Sequence, residues 1–151
     1  MKIALGCDHA GIELMPAVKE VLEERGISYI DFGTDNPQKS VDYPVYGARA
    51  ARSVQTGECE LGILLCGTGV GIGMAANKLK GIRCVTCSEP FSAQASRHHN
   101  NANMLSMGAR VIGSETCKDI VRAFLDASFD GGRHERRVAM LTALENGEAI
   151  E

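Results

Sequence analysis

Nowhere in the chain do apolar residues run to the ~20 that a membrane-spanning helix requires. The opening stretch, MKIALGCDHAG, offers one lysine and a short, mostly apolar run before Asp8, far less than a signal-peptide core. A cytoplasmic protein is expected. Positive charge is not in excess either: 16 Lys and Arg stand against 19 Asp and Glu, for a net charge of -3. That balance leaves no broad basic surface to neutralise a nucleic-acid backbone or an anionic bilayer, so neither partner is expected. Small molecules and other proteins remain. There is no internal repeat and no low-complexity stretch. Six cysteines are scattered at positions 7, 59, 66, 84, 87 and 117 without a secretory leader, which predicts free thiols rather than a disulfide framework. Cys84 and Cys87 form a C-x-x-C pair, but no second pair completes a zinc site.

What is present is enough apolar material for a core: 151 residues, 44% of them hydrophobic, expected to form one domain over 1–151 with a flexible tail at 146–151. Hydrophobic patterning alternates between short apolar runs and helical periods. KIALGC reads as a strand, and Leu14, Val18, Val21 and Leu22 recur at helical spacing up to Gly26, with Pro16 in the first turn. ISYIDFG is a second strand and VYGARAARSV a helix stopping before Gly57. LGILLC is a third strand, whose helix opens on the glycine loop. IRCVTCS is a fourth, followed by the helix EPFSAQASRHH with Ser88 as its expected cap. NMLSMG together with RVIG supplies a fifth, Ser114 is the expected cap of the next helix, and a last helix from about Arg133 carries Val138, Leu141 and Leu144. Alternation of this kind predicts an α/β fold with a five-stranded parallel sheet covered on both faces. In such sheets ligands collect where strands end and helices begin. Asp8, His9, Asp42, Tyr43, Cys66, Ser88 and the 98–100 segment all fall near such ends.

The stretch GILLCGTGVGIGMAANK (62–78) is the most informative. It fails the dinucleotide fingerprint, because the third glycine would have to stand at Ile72 or Met74, and it lacks the Gly-Lys-Ser/Thr of a phosphate-binding Walker loop. A cysteine phosphatase would want arginine where Ile72 stands. What remains is a turn of bare backbone N–H groups at a helix N-terminus, suited to an anion or oxyanion. Beside them the Cys66 thiol is expected to ionise more readily than an ordinary cysteine. Taken alone, Cys66 reads equally well as a core residue ending a strand. His98 and His99 leave a helix and His9 follows the first strand, placements that suit acid–base work near neutral pH. In GGRHERRV, Arg133 and Arg137 lie four residues apart and so share a helix face, where two forked donors suit a phosphate dianion. A solvated basic face pairing with Glu135 or Asp130 is the simpler reading of that segment by itself.

Through GCDHAG, DYP, CGTGVGIGMAANK, GIRCVTCSEPFSAQASRHHNNAN, GARVIG and GGRHERRV the chain resembles, over nearly its whole length, the ribose-5-phosphate isomerase B family of sugar-phosphate isomerases. That family also takes in allose-6-phosphate and galactose-6-phosphate isomerases. The resemblance implies a three-layer α/β/α Rossmann-like fold, a homodimer or homotetramer with active sites at the subunit interface, a sugar-phosphate substrate, and neither metal nor cofactor. It implies that Cys66 is the base, Thr68 the hydroxyl beside it, and His99, paired with Asn100, the ring-opening group. Residues Gly67, Thr68, Gly69, Val70 and Gly71 would hold an enediolate. Asp8, His9 and Tyr43 would contact sugar or phosphate, and Arg133 and Arg137 would clamp the phosphate with Arg110 of the partner subunit. Another branch carries a glutamate base where Ile72 stands here, which places this chain with the cysteine type. Gly73 stands where many members have serine, and Phe91 where many have tyrosine. The activity so implied is interconversion of D-ribose 5-phosphate and D-ribulose 5-phosphate, a step of the pentose phosphate pathway. Isomerisation of a six-carbon sugar phosphate, and phosphosugar binding without turnover, are the rivals.

Overall fold

Five strands, β1 (Lys2–Cys7), β2 (Ser28–Asp31), β3 (Leu61–Cys66), β4 (Cys84–Thr86) and β5 (Met104–Gly108), are fully parallel in the computed structural model, which describes residues 1–151. They lie in the order β2-β1-β3-β5-β4. The helices are α1 (Met15–Glu24), α2 (Tyr43–Gln55), α3 (Val70–Ala76), α4 (Pro90–Asn100), α5 (Ser114–Asp126) and α6 (Arg133–Glu145). Parallel strands need cover on both faces, and side-chain alternation supplies two cores. Ile3, Leu5 and Cys7 of β1, Leu61, Ile63 and Leu65 of β3, and Leu105 and Met107 of β5 pack with α1, α4 and α5. Ala4, Leu64, Cys66 and Met104 face α2 and α3 on the other side. The chain is therefore a three-layer α/β/α fold.

Strand order reverses between β1 and β3, since β2 lies outside β1 while β3 and everything after it lie on the opposite side. The crevice at the carboxyl ends of these two strands is where open sheets of this class bind ligands. β1 delivers Asp8 and His9 to it, and β3 delivers Cys66.

Four local expectations need correcting. RVIG does not extend the fifth strand: β5 stops at Gly108, and Arg110 N–H donates to the Gly67 carbonyl at 3.0 Å instead of joining a ladder. Glu89, not Ser88, caps α4, its carboxylate accepting from Ser92 N–H at 3.0 and 3.1 Å. Ser114 is already helical; Gly113 holds the cap position of α5 without a side-chain bond. The fourth strand is also shorter than IRCVTCS, because only three of its residues find partners on β5.

Helix α6 is unlike the rest. None of its 13 residues is buried, and Leu141 and Leu144 are 47% and 52% exposed. Its apolar stripe has the helical period expected from the sequence, yet Val138 is only half-buried and Leu141 and Leu144 stay exposed.

Candidate active site

Cys66 ends an entirely buried strand and is itself 5% exposed. Its Sγ accepts the Gly69 N–H at 3.1 Å. Gly69 can turn back in this way because its φ is +79°, a left-handed conformation that costs other residues strain, and because a Cβ there would meet the Met107 backbone at 2.8–2.9 Å. The loop N–H groups are thus not all bare: Gly69 serves the thiol, and Val70 N–H donates to Thr68 Oγ1 at 3.3 Å. Gly67, Thr68 and Gly71 have no acceptor within the chain for theirs. Since Thr68 Oγ1 accepts from Val70, its own hydroxyl proton is available to a ligand.

Thr68 and Gly71 line a cavity of about 350 Å³ together with Cys66, Gly67, Val70 and Tyr43. Its other walls are Asp8, His9, Ala10 and Arg110. The glycines admit these neighbours. A Cβ on Gly67 would lie 3.0 Å from Arg110 Nη1, and one on Gly71 would lie 2.8 Å from the Tyr43 ring. Asp8 is 6% exposed, and its Oδ1 accepts from Ala10 N–H at 3.0 Å and Gly11 N–H at 2.9 Å, which closes the turn after β1. Gly11 sits so close to β3 that a Cβ would be 2.3 Å from the Leu65 carbonyl. His9 Nδ1 accepts Val41 N–H at 3.1 Å. Its Nε2 therefore carries the ring proton as a donor.

The remaining expected residues gather elsewhere. His99, Asn100 and Arg137 line a second cavity of about 350 Å³ with His134, Val138 and Leu141, and the two cavities share no residue. His99 and Asn100 come from the last turn of α4, Arg137 from α6. Arg133 lies one turn before Arg137 and does not line the cavity itself. None of the chain's ion pairs involves Arg110, Arg133 or Arg137, so the expected pairing with Glu135 or Asp130 does not form. His98 does not line this cavity, and its Nδ1 lies 2.8 Å from Asp130 Oδ1.

Sequence reasoning missed His134. Its ring stacks on His99 with centroids 4.5 Å apart and planes 15° from parallel. Desolvation, followed by the repulsion of His99, Arg133 and Arg137, holds His134 below its ordinary pKa. No local pattern could have announced a contact across 35 positions. His99, Asp130 and His134 bring three potential ligand atoms within 4.8 Å of one another. The two stacked rings lie in nearly parallel planes, so their in-plane lone pairs do not converge on one point.

The other thiols are poor candidates for chemistry. All six cysteines are free and buried. Burial pushes Cys7, Cys84 and Cys117 up to about 12 and Cys87 to about 11. Such groups stay protonated near neutral pH and are weak bases or nucleophiles there.

A family model described as Ribose/Galactose Isomerase matches residues 3–141. The chain belongs to the ribose/galactose isomerase family. It is 53% identical over 144 residues to ribose-5-phosphate isomerase B of Escherichia coli (strain K12), covering 95% of this chain and 96% of that one. It is 38% identical over 148 residues to D-erythrulose-4-phosphate isomerase of Pectobacterium atrosepticum, covering 98% and 97%. The solved structure of Clostridium thermocellum ribose-5-phosphate isomerase B superposes with a TM-score of 0.94 at 46% identity, covering 97% of this chain and 99% of that one. The protein is an isomerase of the sugar-phosphate class. None of its helices is long and apolar enough to cross a membrane.

Proposed function

We propose that this isomerase interconverts D-ribose 5-phosphate and D-ribulose 5-phosphate in the cytoplasm, by a proton shift through a cis-enediolate with Cys66 as base. The observation that carries the reading is the Cys66 Sγ held by Gly69 N–H at 3.1 Å, on the wall of a cavity rich in unpaired donors. His99 assists opening of the furanose. The Cys66 thiolate removes the proton from C2, and the C1–O carbonyl takes up the displaced electron pair as an enediolate oxygen. Thr68 and the free N–H groups of the loop stabilise that charge. The Cys66 thiol so formed delivers a proton to C1, after partial exchange with water, while the C2 hydroxyl proton passes to the C1 oxygen; C2 becomes the carbonyl and no electron acceptor is consumed.

The working enzyme in this reading is a homodimer or homotetramer whose site is shared between subunits. Three features support it. The Cys66 and His99 cavities are separate within one chain, α6 leaves Leu141 and Leu144 uncovered, and Val70 and Met74 beside the glycine loop are 51% and 61% exposed. Arg137 and Arg133 of one subunit then meet Arg110 of the partner subunit around the phosphate.

The test is a rate comparison among ribose 5-phosphate, erythrulose 4-phosphate, allose 6-phosphate and galactose 6-phosphate. The five-carbon substrate is expected to give the highest kcat/KM; a six-carbon preference would overturn the assignment. Arg137→Ala is expected to raise KM for ribose 5-phosphate at least about tenfold, from loss of roughly 1.5–3 kcal/mol of charged hydrogen bonding. An unchanged KM would remove Arg137 from the phosphate clamp.

A further inference from the structure

Ser106 is the one side-chain hydroxyl in β5, fully buried and directly across from Thr86 in the β4 ladder. The two oxygens lie 2.9 Å apart. Thr86 is exposed, but Ser106 is buried, and a buried hydroxyl must find a partner. The partner here reaches the active site. Thr86 Oγ1 lies 3.4 Å from the carbonyl of Gly69, the residue whose N–H holds Cys66 Sγ. Each hydroxyl has one proton. Two proton arrangements are open: Thr86 donates to Ser106 and Ser106 to the Val85 carbonyl at 3.4 Å, or Ser106 donates to Thr86 and Thr86 to the Gly69 carbonyl at 3.4 Å, and the second ties the pair to the active site.

The same carbonyl accepts Gly73 N–H at 3.2 Å, the first bond of α3. Helix α3 is pressed onto the hydroxyl pair. A Cβ at Gly73 would lie 2.6 Å from Ser106 Oγ and 3.1 Å from Thr86 Oγ1. Residue 69 is thereby held from three sides: by the Met107 backbone below, by α3 ahead, and by the Thr86–Ser106 pair at its carbonyl. We propose that Thr86 and Ser106 are positioning residues for Cys66, acting through Gly69 to keep its N–H aimed at the sulfur. Neither lines the Cys66 cavity, whose titratable walls are Asp8, His9, Tyr43, Cys66 and Arg110. The proposal rests on the reading of Cys66 as the base.

The test uses the full-length protein and two readouts. One is kcat and KM with ribose 5-phosphate. The other is the iodoacetamide alkylation rate of the Cys66 peptide, followed by mass spectrometry from about pH 6 to 10. Thr86→Val keeps the shape and removes the hydroxyl. It is expected to lower kcat about three- to tenfold with KM unchanged, the loss of one neutral hydrogen bond. The alkylation midpoint is expected to rise by about 0.5 to 1 pH unit, the same factor expressed as thiolate stability. Thr86→Ser should restore both, and Ser106→Ala should shift both in the direction of Thr86→Val. Unchanged kcat and midpoint in Thr86→Val, or a Thr86→Ser no better than the valine, would overturn the proposal. Turnover retained by Cys66→Ala would instead sink the base assignment, while the alkylation profile would still read the Gly69 contact.

Discussion

Cys66→Ala is expected to bind ribose 5-phosphate with little change while losing turnover by a factor on the order of 10² to 10⁴, the usual contribution of a positioned general base. The argument starts from what else is available. Four of the other thiols are held protonated by burial. The Asp8 carboxylate already closes a turn through its Oδ1, and His9 presents an N–H rather than a lone pair if its Nδ1 keeps the Val41 bond. That leaves the Cys66 sulfur as the soft base on this cavity wall. Alanine removes it with almost no change in packing, because the residue is small and ends a buried strand. The measurement is exchange of C2 deuterium from labelled ribose 5-phosphate into water by NMR, with binding followed by calorimetry. Exchange at the normal rate would remove Cys66 from the mechanism altogether.

The second large effect is recovery of activity on mixing two dead variants. Cys66→Ala and His99→Asn should each be inactive as homodimers. If each site takes its thiol from one subunit and its imidazole from the other, a mixed dimer contains one doubly damaged site and one intact site. Free exchange at equal concentration makes about half of the dimers mixed, so about a quarter of wild-type activity is expected. The outcome follows from the separation of the two cavities, which share no lining residue within one chain. Activity remaining at the level of the separate variants after verified subunit exchange would place the whole site within a single chain.

Much of this was legible from residue order. LGILLC could be assigned as a buried strand because it is apolar throughout, and it ends where expected at Cys66. The glycine loop then read correctly as a strand-to-helix turn. What the pattern could not convey was the use of each glycine: Gly67 makes room for Arg110, Gly71 for the Tyr43 ring, and Gly69 lies against the Met107 backbone. These are contacts with distant segments. RVIG was misread as strand because its alternation is apolar, whereas the observed turn is set by the Gly67 carbonyl capturing Arg110 N–H. The same limit hid the stack of His99 on His134, which depends on how α4 meets the start of α6. The helical period of α6 was readable, but nothing in it told that Leu141 and Leu144 would stay exposed in their own chain.

Gly11 lies on the β3 backbone with no side chain between them. The loop bearing Asp8 and His9 and the strand bearing Cys66 therefore form one stiff wall, with no soft packing to absorb a displacement. Accommodating a longer sugar by retreat of this wall would mean shifting the centre of the sheet. Divergence towards other chain lengths is cheaper on the opposite bank, where Tyr43 and Val70 are exposed and can be exchanged without disturbing the sulfur.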